Sequence, residues 1–163
     1  MSLYDEFISK YPDGIRANLF KVYIEDLPPV FVKSMTLPGV TLNTYSLFYN
    51  QFIKHYVTSQ DFDPITMNFY IDSVQLSSFK KFMIEWKNEI VDWQTGMLGY
   101  RDDYVKDIII DVLDTSGNTK LQAKLLNSYP VSIEALNFDY DNTNTFVTIP
   151  VSFRFENIEY KLF

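Results

Sequence analysis

The chain has 163 residues, 47% of them hydrophobic, and a formal net charge of −7. That is enough for a single domain, residues 1–163, to bury about 68–70% of its unfolded surface. The acidic balance excludes a protein that grips nucleic acid through clustered Lys and Arg. The absence of Cys excludes disulfides, thiolate metal sites and cysteine nucleophiles.

No run approaches the roughly 18–20 apolar residues of a membrane span. Met1–Glu6 carries acids where a secretory signal carries basic residues, so the expectation is a soluble protein not exported by the general secretory route. The aromatic share, 17%, suits pleated sheets and large interfaces.

Leu3 to Lys10 reads as a short helix with Leu3, Tyr4, Phe7 and Ile8 on one side, stopped by Pro12-Asp13-Gly14. Asn18 to Glu25 alternates as a first strand. Asp26-Leu27-Pro28-Pro29 breaks it, and Val30 to Thr36 returns antiparallel until Pro38-Gly39. Val40 to Ser59 has apolar groups on both faces: Tyr45, Leu47 and Tyr49 on one, Phe48, Phe52 and Tyr56 on the other. It reads either as two strands with a turn near Asn50 or as an extended arm that is covered only on assembly. After Asp61-Phe62-Asp63-Pro64, residues Ile65, Met67, Phe69 and Ile71 alternate with Thr66, Asn68 and Tyr70 as a strand.

Leu76, Phe79, Met83, Trp86 and Ile90 fall at helical spacing, with Gln75, Ser78, Lys81, Glu85 and Glu89 on the other side. Asp72 or Ser73 suits the N-cap. A loop through Gly99–Asp103 then leads into four β-segments. Ile108 to Leu113 and Leu121 to Leu125 form a hairpin around Asp114–Asn118, and Asn127-Ser128-Tyr129-Pro130 breaks the return strand. Within Val131 to Tyr140 the apolar phase slips by one residue, which predicts a β-bulge. Val147, Ile149, Val151, Phe153 and Phe155 then fill alternate positions of a long final strand. The sum is a mainly β (α+β) protein: antiparallel sheet with one major helix.

Candidate chemistry is sparse. His55, the sole histidine, has no triad or zinc motif around it and reads as a surface or interface residue. Asp139-x-Asp141-x-Thr143 lacks the Gly and Glu of a calcium loop and reads as turn chemistry. Asp61/Asp63 and Asp102/Asp103 are pairs that 21 acids produce by chance. No catalytic, cofactor-binding or metal-ligating residue is assigned, and an enzyme is not expected.

The strands carry more apolar surface than one sheet face buries. Pro150 lies in mid-strand, which favours an edge or a bulge. A long open edge invites pairing with another chain, and copies of one subunit satisfy such edges by closing a ring. A homo-oligomer built by sheet extension is therefore expected, against a monomer whose edges are covered from within. The intersubunit strand is placed at Val147, Pro150, Ser152 and Arg154. The interface groups are Leu3, Phe7, Tyr45, Leu47, Phe48, Tyr49, Phe52 and Tyr56.

Arg16–Val22, Met35-Thr36-Leu37-Pro38-Gly39, Phe62–Met67, the helix with Phe82 and Trp86, Leu126–Ile133 and Val151–Phe155 follow one another in order. In these the chain resembles the tail tube proteins of contractile-tail, T4-like bacteriophages. It departs between Lys54 and Asp61, where many relatives carry a Gly and this chain has Ser59-Gln60.

The resemblance implies a single tail tube domain, a two-sheet antiparallel β-barrel or sandwich with a flanking helix. Six subunits would close a ring and rings would stack into a hollow tube, with a shared barrel of about two dozen strands around an open channel. It implies a structural virion protein: a major tail tube subunit, assembled in the host cytoplasm, whose lumen conducts DNA during ejection. Its partners would be other copies, the tail sheath protein, the baseplate tube-initiator and tail terminator proteins, the tape measure protein and the passing DNA. Alternatives are a baseplate tube initiator, the tube of a contractile injection or type VI secretion system and, in another class, a tail-associated glycosidase. An acidic or neutral polar lumen is expected to keep DNA from sticking. It is placed near one face of Val40–Val57 and of Ile65–Ile71, with the helix outside the channel and its Trp86 face on the sheet. The N-terminal helix and the Val40–Ser59 arm are assigned to ring-to-ring stacking.

Overall fold

The computed structural model describes residues 15–25, 32–71, 73 and 76–163. The helix expected at Leu3–Lys10, the breaks at Pro12–Gly14 and Asp26–Pro29, and the cap candidate Asp72 lie outside the described residues.

Among the described residues nine strands are found: β1 (Phe20–Ile24), β2 (Val32–Met35), β3 (Val40–Tyr49), β4 (Phe52–Phe62), β5 (Ile65–Tyr70), β6 (Lys106–Leu113), β7 (Thr119–Ile133), β8 (Thr148–Arg154) and β9 (Asn157–Leu162). A helical run, α1, is made of Ser77–Phe79, Lys80–Trp86 and Lys87–Ile90, and α2 is a single turn at Arg101–Tyr104. The fold is mainly antiparallel β, as expected. One sheet runs β1-β6-β7-β9 and the other β7-β8-β5-β2. Both pass through β7, and their inner faces enclose the core.

The alternating residues do what their pattern requires. Ile65, Met67 and Phe69 of β5 and Ile149, Val151 and Phe153 of β8 are buried together with Ile108 and Ile110 of β6. The partners of β1 and β2 differ from expectation. They do not pair with one another: β1 pairs with β6, and β2 with β5.

Strand β7 also departs from the sequence reading, since Asn127–Pro130 bends it without ending it. Asn127 adopts a left-handed conformation, φ 51°, and its N–H donates to Asp107 Oδ1 at 3.1 Å. The strand pairs with β9 up to Leu126 and with β6 up to Ser128; from Tyr129 it pairs with β8. A strand that switches sheets through such a bend is how orthogonal sheet corners are made. The bulge predicted within Val131–Tyr140 falls at its first residue. Val131 is the extra residue where register shifts between Pro130 and Ser132, β7 ends at Ile133, and residues 134–146 form a mostly exposed loop. The expected final strand is β8, ending at Arg154; after Phe155-Glu156 the chain crosses back to β7 as a further strand, β9. There Glu156 accepts bonds from Asn127 Nδ2 and from Arg101 Nη2, the latter at 3.3 Å, and these hold its carboxyl below the ordinary glutamate value.

Helix α1 packs Phe82 4.5 Å from Phe69 and Trp86 5.7 Å from Phe153, ring centre to ring centre. It covers the inner face of β5 and β8. Its buried side is Ser78, Lys81, Phe82 and Trp86, so Ser78 and Lys81, expected in solvent, are inside and Leu76 is out. The physical reason is the middle segment Lys80–Trp86, which is wound as a π-helix. Its i→i+5 bonds widen the turn and align residues four apart. Ser73 does not cap the helix; Leu76 does, at φ 49° and without a side-chain bond. Trp86 Nε1 donates to the Tyr104 carbonyl at 2.7 Å, which fixes α2, expected as loop, against the helix.

Candidate assembly surfaces and channel face

The second sheet presents a polar outer face. Opposite the buried set, Thr66, Asn68 and Tyr70 of β5 stand beside Ser152, Pro150 and Thr148 of β8. Ser34 and Ser132 extend the rows on β2 and β7. Asn68 Nδ2 donates to Ser34 Oγ at 2.7 Å, and Thr66 Oγ1 and Ser152 Oγ share a bond at 2.9 Å. Among the described residues these rows hold no carboxylate, and Arg154, one step further along β8, is their cation. The face is a sheet of hydroxyls and amides tied to one another. Such a surface offers few counterion-releasing contacts to a polyanion.

From the same sheet an arm projects. β3 and β4 pair as a separate two-stranded ribbon, closed by Asn50-Gln51 with Asn50 at φ 52°. Met35 is paired with Met67 and, beyond Pro38-Gly39 and Asp63-Pro64, Val40 is paired with Phe62 in the same register. The ribbon therefore prolongs the β2–β5 pair, reaching about 33 Å over ten residues at about 3.3 Å each. Every residue of β3, and every residue of β4 except Phe62, is exposed. Both sequence readings of Val40–Ser59 hold together: two strands turning at Asn50, forming an arm uncovered on both sides.

The turn rearranges the expected faces. Cross-strand partners Tyr45 and Tyr56, and Tyr49 and Phe52, put Tyr45, Leu47, Tyr49, Phe52 and Tyr56 on one side, while Phe48 stands opposite with Ile53 and Val57. The Tyr45 and Tyr56 rings stack at 5.4 Å. Where a Gly was expected, Asn43 pairs with Ser59 and Thr44 with Val57. Thr58 is thus the extra residue of a bulge, its hydroxyl donating to the Asn43 carbonyl at 3.0 Å. His55 Nδ1 lies 2.8 Å from Ser46 Oγ. Their cross-strand neighbours, Leu47 with Lys54 and Tyr45 with Tyr56, bring no carboxylate to orient the imidazole.

Of the interface residues read from sequence, those on the arm are exposed together; Leu3 and Phe7 lie outside the described residues. Val147, Pro150, Ser152 and Arg154 stand differently. Val147 precedes β8, and the strand that holds the other three is not an edge, because β8 is flanked by β5 and β7. Pro150 is tolerated there because its missing donor faces the end of the β7 ladder. Its carbonyl on that side still accepts from Glu134 N–H at 3.0 Å. Among the described residues of the larger sheet, the strands paired on one side are β1, β2 and β9, while β3 and β4 have only each other.

Two exposed apolar features escaped the sequence reading. In one, Trp93, Met97, Leu98 and Tyr100 crown a tight loop after α1. Asp92 Oδ1 accepts the N–H of Gln94 at 2.7 Å and that of Thr95 at 3.3 Å, and Gly99 N–H donates to Ile90 O. In the other, Phe138, Tyr140 and Phe146 rim a groove of about 700 Å³ in the 134–146 loop. Asp139 Oδ1 accepts the Asp141 N–H there at 3.0 Å, the turn chemistry that its sequence suggests. No described helix is long and apolar enough to cross a membrane.

The model of the phage tail tube protein family matches residues 7–161. The chain belongs to the phage tail tube protein family. Solved structures agree in fold. The chain is similar, over 100% of both chains, at 15% identity and a TM-score of 0.73, to a protein in the sheath-tube complex of an extracellular contractile injection system, PVC, in its extended state. It is similar at 16% identity and a TM-score of 0.72 to one in the sheath/tube terminator of that system, covering 91% of this chain and 96% of the other. With Hcp1 from Flavobacterium johnsoniae it shares 14% identity at a TM-score of 0.56, over 89% and 96% of the two chains. No curated protein matches it in sequence. Tail tube proteins are structural components.

Proposed function

We propose that this tail tube protein is the major subunit of a tail tube, closing into hexameric rings that stack into a hollow cylinder. The observation that carries the reading is the arm: apolar on both faces, uncovered, and in register with the sheet it leaves. A ribbon this exposed is stable and soluble only when other surfaces cover it, and copies of the chain supply them. Within the ring, the single-sided strands β1, β2 and β9 are the borders left for sheet extension. Pro150, Ser152 and Arg154 act through their outward side chains, and Val147 stands just before their strand.

The hydroxyl-rich outer face of β5 and β8 is assigned to the lumen. With Arg154 as the cation of these rows, it lets DNA pass without clustered counterion-releasing contacts. Helix α1, on the opposite side of that sheet, then lies outward, toward a surrounding sheath. Baseplate initiator, terminator and tape measure proteins complete the partners, the location is the virion tail assembled in the host cytoplasm, and no catalytic role is assigned. Negative-stain microscopy of the purified protein tests this: rings or tubes are expected, and a monomer at every concentration and salt would overturn it.

A second reading has a specific motive, since the chain is also similar to proteins in structures described as a tube terminating cap and a baseplate. Copy number per particle separates a subunit of every ring from one used once per tail. Cargo is tested by filling assembled tubes with labelled DNA or protein.

A further inference from the structure

The arm leaves the second sheet at the Ile65 end of β5, and the 134–146 groove sits at the other end. There Phe146 meets Tyr70 edge-on at 6.2 Å, and Thr148 and Pro150 line the floor. About 20 Å of strand separates them, at about 3.3 Å per residue. One chain thus carries a projecting apolar tip at one end and an apolar groove at the opposite end. A donor and an acceptor at opposite ends cannot satisfy each other within the chain but can between successive copies, a head-to-tail contact that propagates.

Charge marks the same pairing. Between Val40 and Gln60 the arm has no acid, and its charged side chain is Lys54, with His55 beside it. The loop from Glu134 to Phe146 has Glu134, Asp139 and Asp141 and no Lys or Arg. Opposite charges on two surfaces of one chain select register and suppress tip-to-tip pairing. Resting on the reading of the protein as a self-assembling tube subunit, we infer that the arm tip, Phe48 to Ile53, seats in the Phe138–Phe146 groove of a neighbouring copy, with Lys54 against the acidic loop. Phe48, Tyr49 and Phe52 are more than two-thirds exposed, as are Phe138, Tyr140 and Phe146. The contact covers both sets at once.

The chain has no Cys, so Gln51→Cys at the tip and Asn142→Cys in the loop report the contact without background. In the double variant, oxidation is expected to give a reducible ladder of dimers, trimers and longer species; either single variant gives dimers at most. A double variant that forms rings or tubes by microscopy yet no ladder overturns this pairing and leaves the tube reading intact. Failure to assemble at all overturns both. Charge reversal provides a second test. Lys54→Asp is expected to raise the concentration needed for sedimentable assembly about tenfold, and adding Asp141→Lys to restore it. Unchanged assembly of the Lys54→Asp protein overturns the pairing.

Discussion

Asn127 donates its backbone N–H to the side chain of Asp107 at 3.1 Å, and this bond marks where β7 leaves one sheet for the other. Asn127 accepts the left-handed conformation there more readily than most residues, and its side chain reaches Glu156 across the corner. Replacing it with Ala is expected to cost about 1–3 kcal/mol, combining backbone strain with a lost charged hydrogen bond. Asn127→Gly relieves the strain and should cost less. Urea unfolding of both variants measures the difference.

Asp114 caps the β6–β7 turn, accepting the N–H groups of Asn118 at 2.9 Å and Ser116 at 2.8 Å. These bonds, Asn118's foremost, hold its carboxyl below the ordinary aspartate value. A depressed folded-state pKa means stability that is present above the unfolded value and lost as pH falls through the folded one. The stability gap between the native chain and Asp114→Ala should therefore be constant near neutrality and close in acid. Urea titrations at stepped pH follow it, and a gap that widened in acid would contradict the assignment.

A Cβ built on Gly99 would stand 2.2 Å from the Glu89 carbonyl oxygen. Backbone cannot yield as a flexible side chain does, so Gly99→Ala must push the 91–98 loop off the end of α1. The expected loss is about 1–3 kcal/mol, read as a lower melting temperature, with a change in Trp93 fluorescence reporting the loop itself.

Phe82 lies wholly buried among Phe69, Trp86 and Phe153. Phe82→Ala removes the contact that seats α1 on the second sheet, at an expected cost of about 3–5 kcal/mol. Thermal unfolding and near-ultraviolet circular dichroism, which senses the aromatic cluster, check it.

Excising the arm separates folding from assembly. Because Leu37 packs on the core, Phe62 packs on Phe155 and Val40 pairs with Phe62 at the base of the ribbon, only residues 42–60 are replaceable by a short Gly-rich turn. The shortened chain should unfold at nearly the same urea concentration as the full one. It should remain monomeric by sedimentation where the full chain assembles.

Much of this architecture is legible locally. In β5 and β8 the alternation of apolar and polar residues names the buried face residue by residue, because a strand repeats every two positions whatever it pairs with. The arm announces itself through aromatics on both faces between Pro38-Gly39 and Asp63-Pro64. Where the reading slipped, a backbone event intervened: the two-residue turn that brings Phe52 and Tyr56 beside Tyr45, the π-winding that draws Ser78 and Lys81 inward, and the left-handed Asn127.

The amino-acid order alone determined which residues turn inward on each strand, that sheets predominate and that one helix covers them, since periodicity and turn residues act over a few positions. Only the tertiary structure decided which strands are neighbours, placing Thr66 beside Ser152 across 86 positions of chain, and enclosing Pro150 between two partners. The same long-range pairing turned one face of β5 and β8 into a continuous surface of hydroxyl and amide groups and left the arm and the groove at opposite ends. Pairing over such separations depends on how the whole core closes, which no local pattern encodes.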